Sequence, residues 1–467
     1  MSEHDINAKQ KKVLLVNPRT PDGCGKSYYL PLGLLYLASV CEKKGFLAQL
    51  LDFNIFKPNT RQNPDEYCNQ LLTKRIEEYN PDIVLMGCLF SGQFPQALKL
   101  SSVIKEISHD ARIILGGIHA TTYPLEILSH CPEIDFIILG EGEQTLELFL
   151  NKFQSDDCDF HDLDGFVFRD NSGTICINKK TKFIENLDEI AFPAYHLINI
   201  ADYYVDTTGW HNPKKLPINA SLPIITSRGC PMGCTFCPMT SVMGRRYRQR
   251  SIENVFAEIN YLYTTYGHSY FSIMDDNFTL KKEYVLQFCN KIVDHGLNIQ
   301  FDMLNGISVN TLDEEVIDAL VKAGMVRVGL AIESGSPEIR KCMGKKLDQD
   351  KIFSIVKLFE KYPAVVVRGF FIIGMPEETS DTLNQTYEMI RQIKIDCPEI
   401  NNLIPFKGTK IFDQAQRDNL FFEKVNHEDL WKIPISLTDR DKFFIKPYNL
   451  NEVELKQWRI KFNTIMS

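Results

Sequence analysis

The sequence predicts an α/β protein made of two strand–helix units in succession, and three observations carry that expectation. From residue 11 to about 153, short β-branched runs alternate with amphipathic stretches of helical length. From 223 to about 418 the alternation resumes. The segment between them, 158–220, lacks it and reads as a connector. Strands separated by helices of this length argue parallel, doubly wound sheet.

In the first unit the strand runs are Val13–Val16, Leu47–Leu51, Ile83–Met86, Arg112–Leu115 and Phe136–Leu139. Helix-like segments fall near 31–44, 64–79, 95–108, 123–130 and 143–153. Five strands in the flavodoxin-like order, with a ligand in the crevice at their C-terminal ends, is the expected topology. The loops at those ends are glycine-bearing: Asn17–Gly23, Gly87–Gly92, Gly116–Ala120 and Gly140–Glu143. Glycine there lets backbone approach a bulky ligand. In the connector, Gly165–Gly173 followed by Thr174–Asn178 reads as a hairpin with an Asn-Ser-Gly turn, and Asn186–Ala194 leads into the second unit. That unit has strand candidates at 223–227, 269–274, 298–304, 326–332, 364–373 and 399–404, each followed by a helix-like segment. Beyond about 420 come Trp431, Trp458 and an amphipathic stretch at 452–466, enough for a cap and too little for another domain. The expected boundaries are 11–155, 156–220, 221–420 and 421–467.

The chain has 467 residues and a net charge of −8, so neither nucleic acid nor an anionic membrane surface is an expected partner. No apolar run reaches membrane-spanning length, and the first residues lack a charged-then-apolar signal. A soluble cytoplasmic protein is expected. The run Gly244–Arg250 holds Arg245, Arg246, Arg248 and Arg250. It reads as a solvated face or an electropositive edge for a docking reductant.

Of thirteen cysteines, ten are scattered and read as reduced, small apolar side chains. The other three, Cys230, Cys234 and Cys237, follow a C-x3-C-x2-C spacing with no fourth cysteine or histidine nearby. Structural zinc wants four protein ligands and fits poorly. A cubane iron–sulfur cluster wants thiolates, and three of them leave one iron open. The alternative is three buried cysteines in a loop.

With its apolar lead-in Pro223–Thr226 and the flexible Gly229 and Gly233, this loop resembles the cluster loop of the radical SAM enzymes. The resemblance implies a 4Fe-4S cluster on Cys230, Cys234 and Cys237, whose open iron takes the amino and carboxylate groups of S-adenosylmethionine. One electron, from a flavodoxin- or ferredoxin-type donor, then cleaves the sulfonium to a 5'-deoxyadenosyl radical. It implies a partial (β/α)6 barrel, with function gathered at the strand C-terminal ends. Asp275 and Asp276 stand where the family meets the amino group, although its common Gly-Gly-Glu version is absent. Glu333 and Ser334 stand where ribose and methionine contacts are made, and Arg368 is placed to pair with the carboxylate. The competing structural readings are a helix N-cap pair for the aspartates, and an ion pair with Arg327 or Arg368 for Glu333.

The first-unit loops, with Pro31–Leu37, resemble the cobalamin-binding domain fused ahead of many radical SAM cores, and the connector resembles the tether between the two. Ser91, Gly92, Gly116, Gly117 and Glu141 are then the cobalamin-contacting positions. The alternative is a flavodoxin-like domain without ligand. Many cobalamin proteins carry Asp-x-His-x-x-Gly after the first strand, but the loop Asn17–Leu30 has no histidine. Cobalamin bound here is expected base-off, with no protein imidazole below cobalt. Arg19, Asp22, Cys24 and Tyr28 are the nearby loop side chains. The family points first to a methyltransferase acting on an unactivated carbon of a small-molecule or peptide substrate. Oxidative cyclisation or ring rearrangement with the same cofactors is the second reading. A corrinoid carrier or sensor with a degenerate barrel is the third. No catalytic side chain is assigned.

Overall fold

A computed structural model describes residues 10–20, 30–56, 63–203, 212–218, 221–433 and 442–465. It divides into two compact units. The first draws on the described residues up to Glu185, on Glu189–Tyr203 and on Trp431 with the two described residues after it; the second holds Asn186–Asp188, the described residues from Asn212 to Leu430, and those from Lys442 on.

The first unit runs β1 (Lys12–Asn17), α1 (Leu32–Lys43), β2 (Leu47–Asp52), α2 (Pro64–Tyr79), β3 (Ile83–Gly87), α3 (Phe94–Ile107), β4 (Arg112–Gly116), α4 (Ile118–Thr122), α5 (Pro124–His130), β5 (Phe136–Ile138) and α6 (Glu143–Gln154). The strand order β2-β1-β3-β4-β5 is parallel throughout and is the flavodoxin-like order expected. Helices cover both faces, so the central strands carry apolar residues at consecutive positions: Val13 to Val16 and Ile83 to Leu85 are buried. One face packs on α1 and α6 through Leu34, Ala38, Leu146, Phe149 and Leu150.

The hairpin read in the connector is present as β6 (Phe166–Arg169) and β7 (Ile175–Ile177), and it adds antiparallel to β5 to make a seven-stranded mixed sheet. Its turn is closed by Asp170, whose carboxylate accepts from Ser172 N, Ser172 Oγ and Thr174 N, with Gly173 at φ +82°. Phe136, Phe149, Phe160, Phe166 and Phe168 interlock there with ring centroids 5.3–6.1 Å apart.

The second unit begins with β8 (Leu222–Ile224), β9 (Ser227–Arg228), α7 (Met239–Val242) and β10 (Arg248–Gln249), then α8 (Ile252–Tyr266), β11 (Tyr270–Ile273), α9 (Lys282–Asp294) and β12 (Gln300–Ile307). It continues through α10 (Glu314–Lys322), β13 (Met325–Glu333), α11 (Pro337–Cys342), α12 (Gln349–Phe359), β14 (Val366–Ile373), α13 (Ser380–Gln392), β15 (Cys397–Asn402), α14 (Lys410–Arg417) and α15 (Glu452–Asn463). Six strands pair in parallel in chain order, β8-β11-β12-β13-β14-β15. Strictly sequential order with right-handed crossovers puts every helix on one face, so the sheet curls as an open, six-stranded partial barrel. Ser251 caps α8, accepting from Asn254 N at 3.1 Å.

Near the strand N-termini the barrel is braced by buried Asp302, which accepts from Tyr270 Oη (2.7 Å), Ser272 Oγ (2.5 Å) and Arg327 Nη2 (2.5 Å). The chain end divides its work. Trp431 packs in the first unit against Phe94 and His130, at 5.8 and 5.1 Å between ring centroids. In the second, α15 lies on the barrel, where Arg459 donates to Ile400 O at 2.6 Å and Phe462 meets Tyr387. Among the described residues no helix is long and apolar enough to cross a membrane.

Candidate active site

The cysteine loop leaves β9, which pairs antiparallel with β10 (Arg228 with Arg248, Ser227 with Gln249) as a ribbon at the C-terminal end of β8. The ribbon holds the loop ends together. Gly229 has φ +82°, and a Cβ there would lie 2.3 Å from Arg246 O, so only glycine fits the closing turn. The arginine run is correspondingly split. Arg248 and Arg250 are buried, Arg248 donating to Met243 O and Arg250 to Glu258, whereas Arg245 and Arg246 are exposed. A uniform solvated face is therefore not what the run forms, because alternate residues of β10 turn inward.

Cys230, Cys234 and Cys237 are each half-buried on this loop. Burial raises all three thiols, Cys237 to about 11, while the Lys345 ammonium works the other way on Cys230 and Cys234. The loop rests on the segment after α11: Thr235 N donates to Met343 O at 3.0 Å, Thr235 Oγ1 to Cys342 O at 3.2 Å, and Gly344 abuts Gly233 O and Cys234 Cα. Among the described residues no three His, Cys, Asp or Glu side chains converge as on a single metal ion. A cubane takes each thiolate on a different iron, so its ligands surround a volume. Three part-exposed thiols on one short loop are a donor set of that kind.

After β11, Asp275 is buried and accepts from Thr226 N (2.7 Å), Thr226 Oγ1 (2.6 Å) and Ser227 Oγ (2.5 Å). Asp276 accepts from Gly229 N at 3.1 Å, and burial with the neighbouring Asp275 charge raises it to about 6. Neither caps a helix; Asn277 occupies the cap of the following 3-10 turn and Lys281 that of α9. The pair ties strand two of the barrel to the root of the cysteine loop.

Glu333 ends β13 at φ +69°, beside a register shift against β14. A non-glycine residue in that region is strained, and strain of this kind collects at functional positions. Its carboxylate pairs with Lys345 at 2.7 Å, and Lys345 also donates to Ala331 O. The pairings weighed for Glu333 are used elsewhere: Arg327 goes to Asp302, and Arg368 to Glu399. Ser334 is buried, sharing a hydrogen bond with Thr386 (3.1 Å), accepting from Ser336 N and giving its carbonyl to Arg340. Arg368 sits third in β14, five residues before its end, over the Phe370 ring at 5.3 Å. The structure thus gathers Cys230, Cys234, Asp276, Glu333 and Lys345 at one end of the barrel, and sets Arg368 lower in its strand. Lys345 was not legible beforehand: it lies twelve residues beyond Glu333, and only the α11 turn brings it back.

In the first unit, Ser91, Gly92, Gly116, Gly117 and Glu141 line up at the C-terminal ends of β3, β4 and β5. Gly117 has φ +106°, and a Cβ would sit 2.4 Å from Cys88 O, so two loops touch there backbone to backbone. Gln93 fastens the β3 loop, accepting from Leu89 N and Phe90 N and donating to Asn17 Oδ1 and Pro18 O. Glu141 is buried and accepts from Ile184 N at 3.1 Å. At Gly116, by contrast, a Cβ would meet only Ile138 O, at 3.9 Å, so this strand end is not crowded by the protein's own side chains. Arg19 contacts Asp65 at 3.3 Å; Asp22, Cys24 and Tyr28 lie outside the described residues.

Comparison with known proteins agrees with this arrangement. Residues 21–150 match the B12 binding domain and 224–390 the Radical SAM superfamily. An uncharacterised methyltransferase of Pyrococcus horikoshii is 29% identical over 421 residues, covering 88% of this chain and 84% of that one. The cytidylyl-2-hydroxyethylphosphonate methyltransferase of Streptomyces wedmorensis is 28% identical over 450, covering 88% and 82%. An anaerobic magnesium-protoporphyrin IX monomethyl ester cyclase of Cereibacter sphaeroides is 24% identical, covering 87% and 64%. In fold, the radical S-adenosylmethionine methyltransferase TsrM of Kitasatospora setae, solved with cobalamin and a 4Fe-4S cluster bound, aligns with a TM-score of 0.70 at 18% identity, over 88% of this chain and 75% of its own. With both domains present in this order and relatives of the same kind matching most of its length, the chain belongs to the cobalamin-binding radical SAM family and is a radical SAM enzyme.

Proposed function

We propose that the protein is a cobalamin-dependent C-methyltransferase acting on an unactivated carbon, with a 4Fe-4S cluster held by Cys230, Cys234 and Cys237. The observation that carries this reading is that one chain holds both that loop and the glycine-bearing loops at the C-terminal ends of β3–β5. When bound, the cluster, S-adenosylmethionine and cobalamin together supply hydrogen-atom abstraction and methyl delivery. The protein's part is to hold and shield. Asp275 and Asp276 fix the root of the cysteine loop. Glu333, with Ser334, orients the ribose and methionine portion. Lys345, beside Glu333, takes the role of cation for the carboxylate that the resemblance gave to Arg368, which lies lower in β14 and pairs with Glu399. Ser91, Gly92, Gly116, Gly117 and Glu141 line the corrinoid side, and exposed Arg245 and Arg246 offer an acidic electron donor an edge.

His119, the histidine nearest those positions, is buried and bonded to Ser91. This supports a cobalt without protein imidazole. Cobalamin held here, with no imidazole supplied by the protein, would offer a Co(II) form that is readily reduced. Electron paramagnetic resonance of that form should lack threefold nitrogen splitting; a clear nitrogen triplet would sink the proposed lower face.

Iron and sulfide analysis tests the cluster. The triple alanine variant at Cys230, Cys234 and Cys237 should fall to near background, and about four irons surviving would remove the assignment. Glu333→Gln should leave iron content intact while weakening S-adenosylmethionine binding roughly tenfold, the scale of one charge-assisted hydrogen bond. The cyclase relative keeps oxidative cyclisation as a second reading, and mass spectrometry of turnover products separates it by a gain of one methyl group against none.

A further inference from the structure

Ser91 Oγ and His119 Nδ1 lie 2.9 Å apart, bridging the 3-10 turn after β3 and helix α4. The imidazole is 1% exposed, with the Phe94 ring centroid 4.6 Å away and the Tyr123 ring at 5.2 Å. Its other nitrogen, Nε2, is buried and has no partner among the described residues. Burial holds the ring well below the ordinary histidine range, near 3, so it is neutral and carries a single proton.

That proton has two possible seats. On Nε2 it would be a buried N–H without an acceptor, costing about 1–3 kcal/mol. Orphaned buried N–H groups are rare in folded proteins, and a bare lone pair is the smaller penalty. The proton therefore resides on Nδ1 and is donated to Ser91 Oγ. Once Ser91 accepts there, its own hydroxyl hydrogen must turn elsewhere. Ser91 is half-exposed, and its Oγ has no other partner among the described residues. Its backbone is rigid because Gln93 locks the turn through Leu89 N and Phe90 N. Leu89 and Phe90, each 50% exposed, flank the hydroxyl with apolar surface.

We infer that His119 is a positioning residue that fixes Ser91 as an obligatory hydrogen-bond donor to an acceptor atom on a bound corrinoid. This rests on the cobalamin reading above and adds the direction of the bond and the residue that sets it. The acceptor is on the nucleotide tail or on an amide of the ring, and the test separates the two.

Two measurements on the full chain decide it. Nitrogen-15 spectra of histidine-labelled protein without corrinoid should show the Nδ1–H tautomer for the ring whose signals vanish in His119→Asn; an Nε2–H tautomer overturns the inference. Absorbance titration with hydroxocobalamin and with dicyanocobinamide, which lacks the tail, reads the second half. Ser91→Ala and His119→Phe should each weaken binding about tenfold, and the double variant no further, because one donor is lost either way. His119→Asn, whose amide can donate from near the Nδ1 position, should recover most of the loss. Its thermal midpoint reports folding separately. Loss with hydroxocobalamin alone places the acceptor on the tail, and loss with both probes places it on the ring. Additive losses, or full affinity in His119→Phe, overturn the inference. A wild-type chain that takes up neither corrinoid removes the cobalamin reading itself, whatever the tautomer, so the two failures are told apart.

Discussion

At the scale of single residues, the most unusual environment outside the proposed ligand contacts is that of Glu378. It is fully buried, its Oε2 accepts from Gly374 N and from Met375 N at 3.1 Å, and burial lifts its carboxyl to about 8. A carboxyl whose folded value is raised above its unfolded one binds more protons when folded. Its stabilising contribution is therefore complete below about 4.5 and drains away as pH climbs through about 8. A shift of this size is worth on the order of several kcal/mol. Glu378→Gln keeps an acceptor for both amides and does not titrate. In urea unfolding at pH 5, 7 and 9, the wild type should lose stability across the series while the variant stays nearly flat; parallel curves would show that Glu378 titrates normally. The residue scale also shows where the sequence was readable. Cys230, Cys234 and Cys237 stand out as cluster candidates because their spacing is local. Lys345, and the bond between Ser91 and His119, are long-range convergences that no local spacing encodes. The aspartate pair was placed correctly at the end of its strand, yet its hydrogen bonds run to Thr226, Ser227 and Gly229 across the sheet.

Secondary-structure elements were the most legible level, since a strand buried on both faces must be apolar throughout and a covering helix must be amphipathic. Segments such as Pro64–Tyr79 match their sequence pattern end to end. What periodicity does not reveal is how loops lean on one another. Gly117→Ala would push a Cβ into Cys88 O at 2.4 Å in a left-handed conformation, so the β3 and β4 loops must part. A loss of about 2 kcal/mol or more is expected in chemical unfolding, together with loss of hydroxocobalamin uptake. The cysteine loop has an equivalent weak point. Thr235→Val deletes the bond to Cys342 O, worth about 1 kcal/mol, and Gly344→Val puts a β-branched residue at φ +78° against Gly233 O. Both should speed iron release to a chelator without altering the iron content of freshly reconstituted protein, the second more than the first. Equal release rates in all three chains would mean that the docking segment does not hold the loop.

The whole molecule has two cores, and ligands of the proposed kinds should act on them separately. A ligand that binds only the native form of one unit stabilises that unit by about 2.7 kcal/mol at a hundredfold excess over its dissociation constant. Hydroxocobalamin should therefore slow amide exchange along β1–β5, and S-adenosylmethionine with the reconstituted cluster along β8–β15. Protection that spreads equally over both sheets with either ligand would show one cooperative body. At this scale the order of the two units and the parallel sense of β1–β5 and of the second sheet follow from strand–helix alternation alone. The hairpin β6–β7 was visible as a hairpin, but its addition to β5 was not, because an edge pairing depends on which strand is left uncovered. The division of the chain end was open for the same reason, since Trp431 and α15 find partners in different units.

Trp431 has a consequence in time. It covers Phe94, whose ring lies against His119, and it is encoded far beyond the strands it serves. At a synthesis rate of about 5–20 residues per second, the roughly 230 residues between Tyr203 and Trp431 take about 10–50 s to emerge. For that interval the newborn first unit has its five strands but not its indole cover. A ribosome paused in the barrel would lengthen the exposure, so translation speed through the second unit governs how long the first one waits to be finished.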